Sequence, residues 1–240
     1  MLTLSASALF AIAGLGSSLV LIPLFTFFGL DFNFAKAVGV FINGITTLSL
    51  SIQNFKHKFL PLKDIVILVL VSSVFAFLGA NGTTYISQSV VELLFILFIL
   101  LSLVLLLLGN IKIEHSKVKR KKLPYLFVSA IAFIGGLIGV GGGALYLPLF
   151  LYIGIKTKKS IAMTSALIPV VSFSAFFAYS SFVTIEWVLL SLLSFAAFLG
   201  ALIAHSLVKK IENEKYLKII ISLLLLCEIG YMIYLQILGN

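Results

Sequence analysis

The sequence predicts an all-α integral membrane protein with an inverted structural repeat, each half a re-entrant (broken) helical hairpin plus three transmembrane helices. Three observations lead to this fold: apolar segments along the whole chain, two copies of a glycine-rich break, and a one-sided distribution of basic residues. Of 240 residues, 61% are hydrophobic and 10% charged, and the mean hydropathy is +1.22. Apolar runs of about 20 residues are each long enough to cross roughly 30 Å of hydrocarbon.

Eight apolar segments follow one another, and the first and fifth differ from the others in length. Those two are about 30 residues long and carry a glycine-rich break, whereas the other six are about 20 residues long. We therefore expect a first repeat, 1–110, a basic linker, 111–123, and a second repeat, 124–240. The first repeat contains the hairpin 2–29 and spans 35–54, 63–82 and 90–109, and the second contains the hairpin 124–155 and spans 160–180, 185–207 and 216–238.

The two breaks copy each other. Residues 14–18 read GLGSS and lead to Pro23-Leu24-Phe25, and residues 139–143 read GVGGG and lead to Pro148-Leu149-Phe150. Backbone polar groups freed by a break cost several kcal/mol each in lipid unless protein or water satisfies them, so the breaks are expected to line something polar. Half-helices of 11 to 16 residues reach about 17 to 24 Å, which puts the glycines near the middle of the membrane.

The basic residues favour hairpins over full spans at the two breaks. With eight full spans the 17 basic residues divide eight to nine between the two faces, which is no bias. If the two broken segments enter and leave on the same side, sixteen share one face and Lys36 is the exception. Because the basic face is normally cytoplasmic, the linker 111–123 is predicted to be cytoplasmic and both termini to lie outside.

Internal duplication supports this arrangement. Residues 14–29 match residues 139–154 at six of sixteen positions, and Ala76–Ala80 recurs unchanged as Ala197–Ala201. A hairpin plus three spans makes an odd number of crossings, so the second half must be inverted relative to the first. Secondary transporters with inverted repeats bind their substrates near the midplane on discontinuous helices. The repeated Ala76–Ala80 stretch itself is better explained as close helix packing.

The second break, Gly139-x-Gly141-Gly142-Gly143 through Leu147-Pro148-Leu149 and on to Ala162-Met163-Thr164-Ser165, resembles the sulfite exporter TauE/SafE family of membrane permeases. The first half carries a weaker copy, with Ser17 and Ser18 in place of two glycines and Gly39-Val40 in place of Thr-Ser. The resemblance covers nearly the whole chain. It implies a transporter for a small anion, in the class of sulfite and sulfonates.

The residues themselves also favour an anion site. A glycine-rich turn that leads into a half-helix exposes N–H groups at the positive end of the helix dipole, which attracts an anion without a cationic side chain. Small residues can also be packing contacts, and the hydroxyls can bond the carbonyls of their own helix. The predicted substrate-binding residues are Gly16, Ser17, Ser18, Asn43, Thr47, Gly141, Gly142, Gly143, Thr164 and Ser165, and Ser172 adds a further hydroxyl.

Glu228 lies near the middle of the last predicted span, where an ionisable residue suggests function. It is a candidate for proton coupling, although a protonated carboxyl in a helix contact explains it equally simply. The histidines are scattered and Cys227 is the only cysteine, so no metal site and no cofactor are predicted.

The sequence leaves two other functions open. An anion channel could also use a pair of hairpins as a filter. An intramembrane enzyme would need a nucleophile with a base or paired aspartates, but Asp31 and Asp64, the only aspartates, lie at segment ends, so we predict no enzyme. The expected partners are a small anionic substrate and the lipid bilayer of the cell membrane, with a homo-oligomer left open. The basic residues cluster in linkers, which argues against nucleic acid.

Overall fold

A computed structural model describes residues 17–55, 62–108, 123–152 and 157–208, together with residues 222–223, 226, 229–230 and 233–234. The first arm of the hairpin 2–29, most of the linker 111–123, most of the span 216–238, and the candidates Gly16 and Glu228 lie outside the described residues. All regular structure among the described residues is helical, which confirms the all-α class.

Eight α-helices are bounded within the described ranges. One of them, continued by a short 3-10 turn as Ile65–Tyr85, is long and apolar enough to cross a membrane by length and composition, and the apolar parts of five others are shorter, at 10–17 residues. The helices are α1 (Ser18–Phe27), α2 (Phe32–Phe55), α3 (Leu62–Gly82) with a 3-10 turn (Thr83–Tyr85), α4 (Gln88–Leu108), α5 (Leu123–Ile138), α6 (Gly143–Tyr152), α7 (Thr157–Tyr179) and α8 (Trp187–Val208).

The turn between α1 and α2 is built from local hydrogen bonds. The N–H of Gly29 donates to the carbonyl of Thr26, and the N–H of Leu30 donates to the carbonyl of Phe25. Together with the positive φ of Gly29, +81°, this is a Schellman ending of α1. Asp31 then caps α2, since its Oδ1 accepts the N–H of Phe34 at 2.9 Å.

The predicted break in the second half separates α5 from α6 at residues 139–142. Val140 donates its N–H to the carbonyl of Gly135, and Gly139, at φ +83°, donates to Gly136, so α5 also ends in a Schellman motif. A Cβ placed on Gly135 would lie 2.7 Å from the backbone nitrogen of Gly142. The start of α6 therefore lies directly against the last turn of α5.

Glycines bring α3 and α5 together at backbone distance. A Cβ on Gly79 of α3 would collide with the carbonyl oxygen of Phe133, and a Cβ on Gly136 of α5 would collide with the carbonyl oxygen of Ala76. Each helix thus presents a glycine to the other helix's backbone, as small residues do in tightly packed membrane helices. The prediction that Ala76–Ala80 is a packing motif is confirmed.

The centre of the molecule is the antiparallel packing of α2 against α7. The α3 helix also packs on α7, α8 packs on α2, and the short helices α1 and α6 pack on α2 and α7 respectively. Pro169 lies inside α7 and has no N–H, so the carbonyl one turn earlier, that of Ser165, has no helical donor. The hydroxyl of Ser51 on α2 donates to that carbonyl and ties the two helices together.

Candidate functional site

Residues 139–142, between α5 and α6, form a buried turn with unusual backbone geometry, which we call the glycine tip. Gly139, Gly141 and Gly142 have φ values of +83°, +68° and +75°, and all three are buried. The N–H groups of residues 139–141 donate to carbonyls of α5, and that of Leu145 donates to Gly142. This leaves the N–H groups of Gly143 and Ala144, at the positive end of α6, without an acceptor in the helix. The tip therefore presents N–H donors inside the protein.

Two polar side chains from the central helices lie against Gly141. A Cβ on this glycine would lie 2.8 Å from Nδ2 of Asn43 and would collide with Oγ of Ser172. Asn43 Nδ2 donates to Ser172 Oγ at 2.9 Å, and both residues are fully buried. The other amide atom, Asn43 Oδ1, is buried without a hydrogen-bond partner in the described part of the chain. Gly141 is thus the contact point of α2, α7 and the tip.

Tyr146 covers the next glycine. Side chains on a helix point back toward its N-terminus, so the ring of Tyr146 lies over Gly142, one turn earlier. A Cβ on Gly142 would lie 2.8 Å from Cε2 of Tyr146 and 3.0 Å from its hydroxyl oxygen. Tyr146 is fully buried, and its hydroxyl has no partner among the described residues. Since buried hydroxyls are normally hydrogen-bonded, this hydroxyl is a candidate donor to a ligand or a water.

Two serines at the start of α1 reach the same region. Ser18 Oγ donates to the carbonyl of Val140 at 2.9 Å, so α1 contacts the glycine tip directly. Ser17 Oγ lies 3.3 Å from Thr46 Oγ1, which in turn donates to the carbonyl of Asn43. Both serines are buried.

Three of the candidates from the sequence are placed differently. Thr47 donates its hydroxyl to the carbonyl of Asn43 on its own helix at 2.5 Å, which is the alternative to ligand binding that the sequence left open for this residue. Ser165 lies seven residues before Ser172, about 10 Å along α7, and its carbonyl is used in helix packing. Thr164 is buried, its hydroxyl has no partner within the described ranges, and no described contact joins it to the tip.

Sequence reasoning missed Tyr146, which reads as one more aromatic residue in an apolar run. It also counted Lys36 only as a topology signal, whereas the structure buries this lysine to 1% exposure near the start of α2. The sequence feature that could have indicated a special role for Lys36 is the position of a lysine inside the apolar segment 35–54. A Cβ on Gly139 would lie 2.7 Å from Cγ of Lys36, so the lysine stem packs directly on the tip.

The ammonium group of Lys36 sits among electron-rich groups. Its Nζ donates to Thr83 Oγ1 at 2.8 Å and lies 4.9 Å and 5.3 Å from the ring centres of Phe32 and Tyr179. Thr83 and Tyr179 donate their own hydroxyls to the carbonyl of Leu137, at 3.1 Å and 3.0 Å, at the end of α5. The positive charge is therefore held near the negative end of a helix dipole.

An open cleft of about 420 Å³ lies between the α1–α2 turn and the α7–α8 loop. Carboxylates of Asp31 and Glu186 line it, and no basic side chain does, so it is unsuited to an anion. Among the described residues, no group of three or more His, Cys, Asp or Glu side chains is placed to hold a metal ion.

Comparisons with known proteins agree with the sequence resemblance. The family model described as Sulfite exporter TauE/SafE matches residues 1–232. A probable membrane transporter protein of Methanocaldococcus jannaschii is 25% identical over 177 residues, which cover 69% of this chain and 65% of that protein, slightly under two thirds of its length. No solved structure matches. The match confirms the family predicted from the second glycine motif. The chain is a membrane protein that belongs to the sulfite exporter TauE/SafE family.

Proposed function

We propose that the protein is a secondary transporter that moves a small anion of the sulfur oxyanion class, such as sulfite or an organosulfonate, across the cell membrane by alternating access. The family of the chain is named for sulfite export, and the relative in Methanocaldococcus jannaschii is described as a probable membrane transporter. Membership in this family also argues against the intramembrane enzyme that the sequence left open.

The observation that carries the proposal is the buried polar cluster at the glycine tip. Tyr146 offers a hydroxyl without a partner among the described residues, and the start of α6 adds backbone N–H groups. Asn43 Nδ2 has a second N–H beyond its bond to Ser172, whereas the unpartnered atom of this amide, Oδ1, is an acceptor. An oxyanion accepts several hydrogen bonds at once, and hydrogen bonds to a charged group are the stronger ones. A compact anion bound beside Gly142 would accept hydrogen bonds from the Tyr146 hydroxyl and from the N–H groups at the start of α6.

Helix contacts support an inverted repeat around this site. If α1 corresponds to α6, α2 to α7 and α3 to α8, the packing of α1 on α2 matches that of α6 on α7. The packing of α8 on α2 likewise matches that of α3 on α7, and α2 packs on its own counterpart. The hydrogen bond from Ser18 to Val140 then joins the two hairpin tips, and we propose that their relative movement opens the site to each side in turn.

Uptake into proteoliposomes tests the activity. The purified protein is reconstituted and assayed with sulfite, thiosulfate, methanesulfonate and acetate. We expect saturable uptake of at least one sulfur anion that is accelerated by the same anion on the opposite side, which is the behaviour of a carrier. Flux that does not saturate would identify a channel instead, and no flux of any anion would refute the proposal.

A conservative substitution tests the site. Tyr146→Phe removes only the unpartnered hydroxyl, so the ligand-free protein should be as stable as the wild type or slightly more stable. If the hydroxyl binds the anion, kcat/KM should fall by roughly 10- to 100-fold, the effect of losing a hydrogen bond to a charge. Tyr85→Phe, at a tyrosine that is 90% exposed, is the matched control and should change nothing. Wild-type kinetics in Tyr146→Phe would exclude this residue from the site.

The proposed orientation has its own test. After Cys227 is replaced by serine, single cysteines are introduced at Asp31 and at Lys156 and labelled with an impermeant maleimide in intact cells. The inverted topology, with both termini outside and the linker 111–123 cytoplasmic, requires that the two positions label from opposite sides. Labelling of both from the same side would overturn it.

A further inference from the structure

The buried lysine beside the glycine tip has no negative partner. Lys36 is 1% exposed, and no carboxylate lies within ion-pair distance of its Nζ in the described part of the chain. Asp31 and Glu92 act on it electrostatically, but Asp31 is exposed to solvent and Glu92 is half-buried and accepts a hydrogen bond from Gln88. A buried charge without a counter-charge is costly, and an anion bound nearby would lower that cost.

The groups that surround Nζ stabilise the charge without neutralising it. They are the hydroxyl of Thr83 and the faces of two aromatic rings, all of which favour a cation but carry no net charge. When Lys36 is protonated, its net positive charge is not cancelled by these groups and acts on whatever lies nearby. Buried charges interact strongly because water does not screen them.

The glycine tip lies next to the side chain of Lys36. The Cβ and Cγ atoms of Lys36 would lie 2.8 Å and 2.7 Å from a Cβ on Gly139, and two residues of chain, at most about 7 Å, separate Gly139 from Gly141. The donors at the tip, the Tyr146 hydroxyl and the N–H groups at the start of α6, are neutral, so they can bind polar groups of any charge. A protonated lysine beside them adds a preference for anions.

We propose that Lys36 provides the positive charge that compensates an anion bound at the glycine tip, and that it sets the charge selectivity of the site. This inference rests on the proposed function and names the residue that distinguishes an anion from a neutral molecule of the same shape. Lys36 acts through the electrostatic field rather than by direct contact, which makes it a charge-compensating residue. Its removal should therefore weaken binding in proportion to the charge of the anion.

The experiment compares two anions of different charge on each protein. Binding of thiosulfate, with charge −2, and of methanesulfonate, with charge −1, is measured by isothermal calorimetry on the purified full-length protein in detergent. In Lys36→Met we expect the Kd to rise about 10-fold for methanesulfonate and about 100-fold for thiosulfate, because the Coulomb energy doubles with the charge. The ratio of the two Kd values does not depend on the fraction of active protein.

Two control variants separate charge from structure. Lys36→Arg keeps the charge and should keep the Kd ratio of the wild type. Tyr179→Phe removes the hydroxyl bonds to the end of α5 from the same cluster but leaves the charge, so its ratio should also be unchanged. Lys36→Gln is measured beside Lys36→Met, so that poor folding of one neutral variant leaves the other to decide.

The outcomes are distinct. If both Kd values rise by the same factor in the neutral variants, so that the ratio of the two Kd values is unchanged, Lys36 has a structural role and the inference is overturned. If the wild-type protein transports sulfur anions in proteoliposomes but Lys36→Met keeps its charge selectivity, only the inference fails. If the wild type neither binds nor transports any of these anions, the proposed function fails with it.

Discussion

The contact of Gly141 with Asn43 and Ser172 gives the sharpest test of the site. In Gly141→Ala the new Cβ would meet Ser172 Oγ and would lie 2.8 Å from Asn43 Nδ2, so the hydrogen bond between these side chains must break or the tip must move. The backbone at φ +68° adds a second cost, because left-handed geometry costs an alanine about 1–2 kcal/mol. Loss of the buried hydrogen bond adds about 1 kcal/mol or more.

Gly29 provides a matched control for the backbone term. It has nearly the same conformation, φ +81°, but a Cβ placed on it meets nothing within 4 Å. Gly29→Ala should therefore cost the same 1–2 kcal/mol of folding stability without touching the tip. The difference between the two variants isolates the contact with Asn43 and Ser172.

The assay is anion uptake in proteoliposomes together with thermal unfolding in detergent. For Gly141→Ala we expect kcat/KM to fall by roughly 30-fold or more, which corresponds to an increase of about 2 kcal/mol in the activation free energy of transport. For Gly29→Ala we expect lower thermal stability with kinetics near those of the wild type. Equal kinetics for the two variants would show that the contacts at Gly141 do not shape the substrate site, and the reasoning from the tip would be wrong.

Two predictions concern the scaffold. Gly79→Ala should destabilise the protein by about 1–3 kcal/mol, because its Cβ would meet a backbone carbonyl of α5. Gly82→Ala, on the same helix, is the control and should leave the melting temperature unchanged, because the nearest atoms lie 3.9 Å away. Equal melting temperatures for the two variants would refute the close approach of α3 and α5. Ser51→Ala should cost about 1 kcal/mol because it removes the hydrogen bond to the half-buried carbonyl of Ser165 on α7, and less in a Pro169→Ala background, where the restored N–H can reach that carbonyl. Additive effects in this double-mutant cycle would contradict the proposed coupling.

The helical architecture could be predicted because it depends on local patterns. Segment length and hydropathy indicate apolar helices, and the bounded helices differ from the apolar segments of about 20 residues by at most three residues at their ends. Glycine and proline mark the α5–α6 break, since the Schellman motif at Gly139 requires a residue that tolerates positive φ. The packing of Gly79 on α5 could be predicted for a similar reason, because small residues at repeated positions are characteristic of close helix contacts.

The side-chain partners could not be predicted, because they depend on residues far apart in the sequence. Lys36 meets Thr83 across 47 residues, and Asn43 meets Ser172 across 129. The hydroxyl of Thr47 had two acceptable partners, a ligand or its own helix, and the choice depends on how α2 is turned toward α7. Tyr146 gained its significance only from the close approach of its ring to Gly142, which no composition or periodicity reveals.

The strength with which the glycine tip is held bears on how a transporter could use it. Ser18, Thr83 and Tyr179 each donate one hydroxyl proton to carbonyls at residues 136–140, from three different helical elements, and Tyr179 shares its proton between two carbonyls. At about 1 kcal/mol net for each donor, the tip is held in this position by about 3 kcal/mol. A ligand can shift a conformational equilibrium only by its differential affinity for the two states. Because a ligand shifts the equilibrium by RT ln(1 + [L]/Kd), an anion that bound only the released tip would have to exceed its Kd for that state by more than about 100-fold to offset about 3 kcal/mol, so a millimolar Kd would not release the tip at millimolar concentrations.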